Sequence, residues 1–209
     1  MTIDRLEVLP LQEHTVRIRF SDGTSLKTQD YVVADLGLYP GKDLDETSLE
    51  QLRQATGRAS ARNRAVRIIS ASGVSKADLE RRLTQKGEDP AHARDAVQWL
   101  SELELLDDAK TAEQLVQSAV RKGYGKARIK QILYEKGIPE ACREQALADL
   151  PEMDDAVDRF LEKRLQGREP DEKELKRTID ALLRRGHSWS DIRAGLQRYS
   201  EHLDLEEFL

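Results

Sequence analysis

The side chains in this 209-residue sequence best suited to binding a metal or attacking a substrate are four histidines, His14, His92, His187 and His202, and one cysteine, Cys142. The histidines lack metal-ligand spacing, and Cys142 has no adjacent His to activate it. A lone thiol builds neither a thiolate metal site nor an internal disulfide. The expectation is a chain with no enzymatic activity, metal or cofactor, working in a reducing compartment. Gly123-Tyr124-Gly125-Lys126 resembles part of a phosphate loop, yet it lacks the full Gly-x-x-x-x-Gly-Lys-Ser/Thr spacing and a preceding strand. It reads as an interhelix turn.

Binding chemistry is better represented. Between Arg121 and Lys136, six basic side chains (Arg121, Lys122, Lys126, Arg128, Lys130 and Lys136) stand against one acid, Glu135. Arg81, Arg82 and Lys86 form a smaller group upstream. Together these are the candidate contacts to an acidic protein surface or to DNA phosphates. Lys126 and Lys130 share a helix face at i and i+4, whereas helical residues two apart diverge by about 200°. A solvated helix face is the plain alternative for such a run. Trp99 sits beside an apolar stripe and Trp189 on one, which favours packing over base stacking for both.

These residues need elements to carry them, and composition limits which. Charged residues make up 35% of the chain, hydrophobic ones 38% and aromatics 5%, a balance that suits a solvated, elongated molecule better than a compact α/β enzyme. The 34 Lys and Arg nearly match the 39 Asp and Glu, so charge excess does not predict disorder. The net charge of −5 divides into acidic ends and a mildly basic middle. The N-terminal MTIDRLEVLP mixes charge with apolar residues, and no stretch of about 18 apolar residues exists, so the expectation is a cytoplasmic chain with no membrane contact.

The first segment reads as strands. Val16, Ile18 and Phe20 alternate with Arg17 and Arg19, Asp22-Gly23 supplies a tight turn, and Ser25–Thr28 returns. Ile3–Val8 makes a third strand, and the small sheet must lean on Leu36, Leu38 and Leu44 or on the first long helix. From about Thr47 the period becomes helical, as in Ala93, Ala96, Val97, Leu100 and Leu103.

The strongest signal is an internal repeat. GVSKADLERRLTQKG (73–87) lies over GYGKARIKQILYEKG (123–137) at an offset of 50 residues, and Leu182, Arg185, Gly186 and Leu196 continue it at an offset of 49. Gly87, Gly137 and Gly186 each follow a helix ending in Lys or Arg, the place of a left-handed C-terminal cap. Asp107 and Asp108 are natural N-cap or first-turn residues. The fold class expected is therefore mainly α: three tandem three-helix repeats, stacked into an elongated, curved monomer, behind a small N-terminal β-sheet module. The boundaries expected are 1–57 for the β-rich module with its linker helix, 58–104 and 105–150 for the first two repeats, and 151–209 for the third with an acidic tail.

GVSKADLERRLTQKG, LLDDAKTAEQLV and RKGYGKARIKQILYEKGIPE resemble the RecX family of bacterial recombination regulators over about residues 58–200, with comparable Ser-x-x-Glu-Leu, Leu-Asp-Asp and Lys-Gly-Ile elements. Asp78 stands where the family usually has Glu, and Thr111 where an aromatic commonly follows the Asp pair. The resemblance implies a protein that binds RecA, enters the groove of its filament on single-stranded DNA and restrains its recombinase and ATPase activity, with the DNA phosphate backbone as a further contact. It implies nothing about residues 1–57. The alternative from the residues alone is a direct nucleic-acid binder using helix-turn-helix-like units, although a net +3 over residues 58–150, 17 basic against 14 acidic, is feeble for one.

Overall fold

The computed structural model describes residues 1–10, 14–148, 150, 154–166 and 170–199. His202 and the acidic tail expected at the C-terminus lie outside them. The fold is mainly helical, with one small three-stranded antiparallel sheet at the N-terminus. It divides into two compact units, Met1–Leu106 and Asp107–Leu209.

In the first unit β1 (Ile3–Val8), β2 (Thr15–Phe20) and β3 (Ser25–Gln29) pair in sequence order, with Ile18 opposite Leu6 and Leu26. The β2–β3 turn is held by Asp22 Oδ1, which accepts from Thr24 N at 2.9 Å and Thr24 Oγ1 at 2.6 Å, while Gly23 takes φ +83°. After α1 (Asp30–Asp35) comes the 26-residue α2 (Glu46–Ala71), N-capped by Asp45, whose carboxylate accepts from Ser48 N. Its first half presents Leu52 and Ala59 to a core shared with Ile3, Ile18, Phe20, Val32, Leu38 and Leu44. Its second half presents Ala61, Ala65 and Ile68 to a core completed by α3 (Lys76–Gln85) and α4 (Pro90–Glu102), with Leu79, Leu83, Ala93, Ala96 and Leu100. The sheet thus leans both on the leucines after α1 and on the first long helix. The same helix runs unbroken through residues 57 and 58.

In the second unit α5 (Asp108–Arg121), α6 (Lys126–Glu135) and α7 (Glu140–Ala148) enclose Ala112, Val116, Ile129, Leu133 and Ile138. Then α8 (Asp154–Leu165), α9 (Glu172–Arg184) and α10 (Trp189–Tyr199) enclose Val157, Leu161, Leu175, Leu182, Ile192 and Leu196. Asp107 is the N-cap of α5, accepting from Ala109 N and Lys110 N. The corners repeat as backbone geometry. Gly87, Gly137 and Gly186 have φ of +88°, +66° and +86°. In each case the next residue (Glu88, Ile138 or His187) donates to the carbonyl five back (Leu83, Leu133 or Leu182) at 3.1–3.2 Å, the six-to-one bond of a Schellman cap.

Trp99 packs against the core of the first repeat under the Arg62 guanidinium, 5.0 Å from its ring. Trp189 departs from the packing expectation: it is 49% exposed at the start of α10, where Ile192 and Leu196 take the buried stripe.

Candidate partner-binding surfaces

The nine candidate basic residues fall into two groups, one on each unit. On α3, Ser75 caps the helix by accepting from Asp78 N at 3.0 Å, and Asp78 itself is buried. Two candidates serve this buried charge: Arg81 bonds Asp78 Oδ1, and Arg82 Nη2 lies 2.9 Å from Oδ2. An uncompensated buried carboxylate is expensive, so both guanidinia have a structural duty. Lys86, at the helix end, is exposed and carries no ion pair among the described residues.

Arg82 and Lys86 also belong to something that sequence reading missed. With Lys27 on β3 and Arg64 and Arg67 on α2, they line a cleft of about 1040 Å³ within the first unit. Arg64 Nε donates to the buried Glu88 at 2.6 Å, and Ser60 Oγ donates to the same oxygen at 3.0 Å. These residues sit on three elements, separated in sequence by up to 59 positions (27 to 86), so no local run announces them.

In the second unit, Arg121 and Lys122 are exposed at the end of α5, and Lys126 and Lys130 are exposed on α6. Arg128 is half-buried, with Nη1 3.5 Å from Glu135 Oε1, and Lys136 is half-buried at the C-cap. The expected shared face of Lys126 and Lys130 is therefore present, with Arg128 turned elsewhere. Tyr134, 72% exposed, lies under the Arg143 guanidinium at 5.4 Å.

The Gly123–Lys126 segment is an interhelix turn in which the N–H groups of Gly123, Tyr124 and Gly125 already donate to backbone carbonyls. Gly125 N donates to Arg185 O at 2.9 Å and Ala127 N to Gly186 O at 3.2 Å, so the corner after α9 caps the start of α6. A Cβ on Gly125 would lie 2.2 Å from Gly186 O, which is why glycine stands there. Arg185 Nη1 donates to Lys122 O at 3.0 Å, and its guanidinium lies 5.0 Å from the Phe160 ring. His187, buried, has Nε2 3.1 Å from Gly123 O, so this nitrogen carries the hydrogen that the carbonyl accepts. Burial holds its pKa below the ordinary histidine value, helped by Arg185 and opposed by the Gly123 carbonyl and Asp191.

Among the described residues, no group of three or more His, Cys, Asp or Glu side chains could hold a metal ion, and no helix is long and apolar enough to cross a membrane.

Cores built helix by helix and corners closed by left-handed glycines define a three-helix-repeat protein carrying a small β-module. Residues 107–147 match the family described as RecX, second three-helix domain. A regulatory protein RecX of Vibrio parahaemolyticus is 31% identical over 144 residues, covering 68% of this chain and 92% of the relative. One from Cronobacter sakazakii is 32% identical over 163 residues, covering 68% and 96%. The crystal structure of a regulatory protein RecX shares the fold with a TM-score of 0.65 at 20% identity, over 92% of this chain and 98% of that one. RecX from Lactobacillus salivarius does so with a TM-score of 0.59 at 21% identity, over 69% and 97%. The chain belongs to the RecX family.

Proposed function

We propose that this chain is a non-enzymatic cytoplasmic regulator that binds RecA, engages its filament on single-stranded DNA as a monomer, and inhibits recombinase and ATPase activity. The observation that carries the reading is the 31% identity spanning 92% of a protein named as a regulator. The physical support is the exposed Lys126 and Lys130 pair on α6, which bears charge without an acid to neutralise it among the described residues. Such a face complements an acidic protein surface and acts mainly on association rate and specificity. The repeats, taken as 58–104, 105–150 and the helices after 151, offer successive docking units.

The test is titration of the chain into preformed RecA filaments on single-stranded DNA, read by ATPase rate and electron microscopy. The ATPase rate should fall as the chain saturates the filament, and the Lys126→Glu/Lys130→Glu variant, with its melting temperature retained, should inhibit more weakly. A rate unchanged at saturating chain would overturn the reading.

A further inference from the structure

We propose that the cleft in the first unit is a binding site for the phosphodiester backbone of single-stranded nucleic acid. β3 forms one wall, the face of α2 from Thr56 to Ala71 the floor, and the end of α3 the other wall. Among the described residues five cations (Lys27, Arg64, Arg67, Arg82 and Lys86) line it and no carboxylate does. Two buried acids stand behind the wall, Glu88 against Arg64 and Asp78 against Arg82. Among the described residues, Lys27, Arg67 and Lys86 have no acidic partner. Like charges gathered in a concavity repel one another and concentrate a positive potential, which an anionic polymer relieves.

The two paired arginines are preorganised for this. Each guanidinium has five donors in a rigid fork, and its acid uses only part of them. Held by a buried carboxylate, Arg64 and Arg82 lose less side-chain freedom when a phosphate arrives. Gln29, Asn63 and Ser72 add neutral polar groups of the kind that position sugar and phosphate.

The lining also says what the ligand is not. Among the described residues its apolar part is Ala59, Ile68 and Ala71, with no aromatic ring to stack a base and no cluster of large apolar side chains to anchor a peptide. Binding is therefore insensitive to base sequence and favours phosphates over an acidic protein segment. The ligand is assigned as a single strand, whose flexible backbone can follow the cleft from β3 across α2 to the end of α3, and competition by duplex tests that assignment. The site stands independently of the regulatory reading, since it needs no recombinase.

The experiment measures anisotropy of a labelled oligo-dT of about 16 nucleotides with the full-length chain and no recombinase present. The chain should bind oligo-dT and oligo-dA alike. Lys27→Gln/Arg67→Gln/Lys86→Gln, which spares both paired arginines, should weaken binding at least about tenfold and flatten the slope of log K against log salt by about 2. Lys173→Gln/Lys176→Gln, at two exposed positions on α9, should stay within about twofold of wild type, and Lys27→Gln/Lys86→Gln, also exposed, gives the same direction as the triple change should that one lower the melting temperature. Absence of oligo-dT binding at low salt, a folded cleft variant within twofold of wild type, or equal competition by poly-glutamate or duplex would overturn the proposal. ATPase measurements on RecA filaments report separately on the regulatory reading, so either can fail alone.

Discussion

α3 and α6 occupy equivalent places in successive repeats, fifty residues apart, and begin in opposite ways. α3 supplies its own cap: Ser75 accepts from Asp78 N at 3.0 Å. At the matching position α6 has Gly125, which offers no side chain, and its first donors go to the carbonyls of Arg185 and Gly186 in the next repeat. A helix start sealed by its own side chain satisfies its backbone locally, while one sealed by another backbone joins two repeats. The first unit secures its repeat differently, by running the single helix α2 through both the sheet core and the repeat core. Coupling through a shared helix depends on apolar side chains and tolerates small adjustments, whereas coupling through touching backbones depends on the absence of a Cβ.

The sharpest way to break that contrast is to add the same methyl group in both units. Gly125→Ala places Cβ 2.2 Å from Gly186 O and 2.4 Å from His187 N, both backbone atoms. Relief requires α6 to leave the α9 corner and lose the bonds to Arg185 O and Gly186 O, which should cost about 3 kcal/mol. Gly57→Ala within α2 meets only the ring of His92, at 2.3 Å, which can swing away at the loss of its bond to Gln54. The helix propensity gain of about 1 kcal/mol offsets that, leaving the change near neutral. Chemical denaturation of both variants decides it, and equal destabilisation would erase the distinction.

A smaller effect is expected at Gly137, whose φ of +66° closes the corner between α6 and α7. Gly137→Val should destabilise the second unit by about 1–2 kcal/mol, because a β-branched residue resists the left-handed region. A melting temperature equal to that of wild type would sink this.

The backbone joint also gives the second unit a pH dependence. His187 is buried with its native pKa depressed, chiefly by desolvation, so the unfolded chain binds the proton first. The sign follows: its contribution is complete above the unfolded value of about 6.5 and is lost as pH falls below that through the native pKa. The groups facing it are the Gly123 carbonyl, Asp191 and Arg185, and none removes the depression. Melting temperature should drop as pH falls from about 6.5 through the native pKa, and His187→Gln, which can still donate to Gly123 O, should reduce that drop. Identical pH profiles for the two proteins would exclude His187 as the source.

Legibility in the sequence tracks how local each interaction is. The corner glycines and the Asp107 cap were readable because a left-handed turn and a capping carboxylate act within five residues of themselves. The three strands were readable from alternation and Asp22-Gly23, as were the exposed positions of Lys126 and Lys130 from their i, i+4 spacing. Gly125 was readable as a turn but not as a contact, since its partner Gly186 lies 61 positions away. The cleft was hidden for the same reason: Lys27, Arg64 and Arg67 are isolated cations until β3 and α2 fold together. The duty of Arg81 and Arg82 toward Asp78 was hidden by burial, because an Asp one helical turn from two arginines looks like an exposed pair until its depth is known.

The smallest expected effect sharpens the account of the corners by improving one. Glu104 follows α4 at φ +57°, the place that Gly123 takes after α5 at φ +69°. Both make the same cap: Leu105 N donates to Leu100 O at 3.0 Å, and Tyr124 N donates to Ala119 O at 3.1 Å. Glu104 is exposed and makes no ion pair among the described residues, so its side chain contributes nothing that its removal would forfeit. A non-glycine residue in the left-handed region costs about 1–2 kcal/mol, while the greater freedom of glycine in the unfolded chain returns about 0.4–1 kcal/mol of that. Glu104→Gly should therefore stabilise the first unit by about 0.5–1 kcal/mol and raise its melting temperature by roughly 2 °C. A lower melting temperature would mean that the strain at this corner is already relieved, and that its likeness to the glycine corners is one of shape without energy.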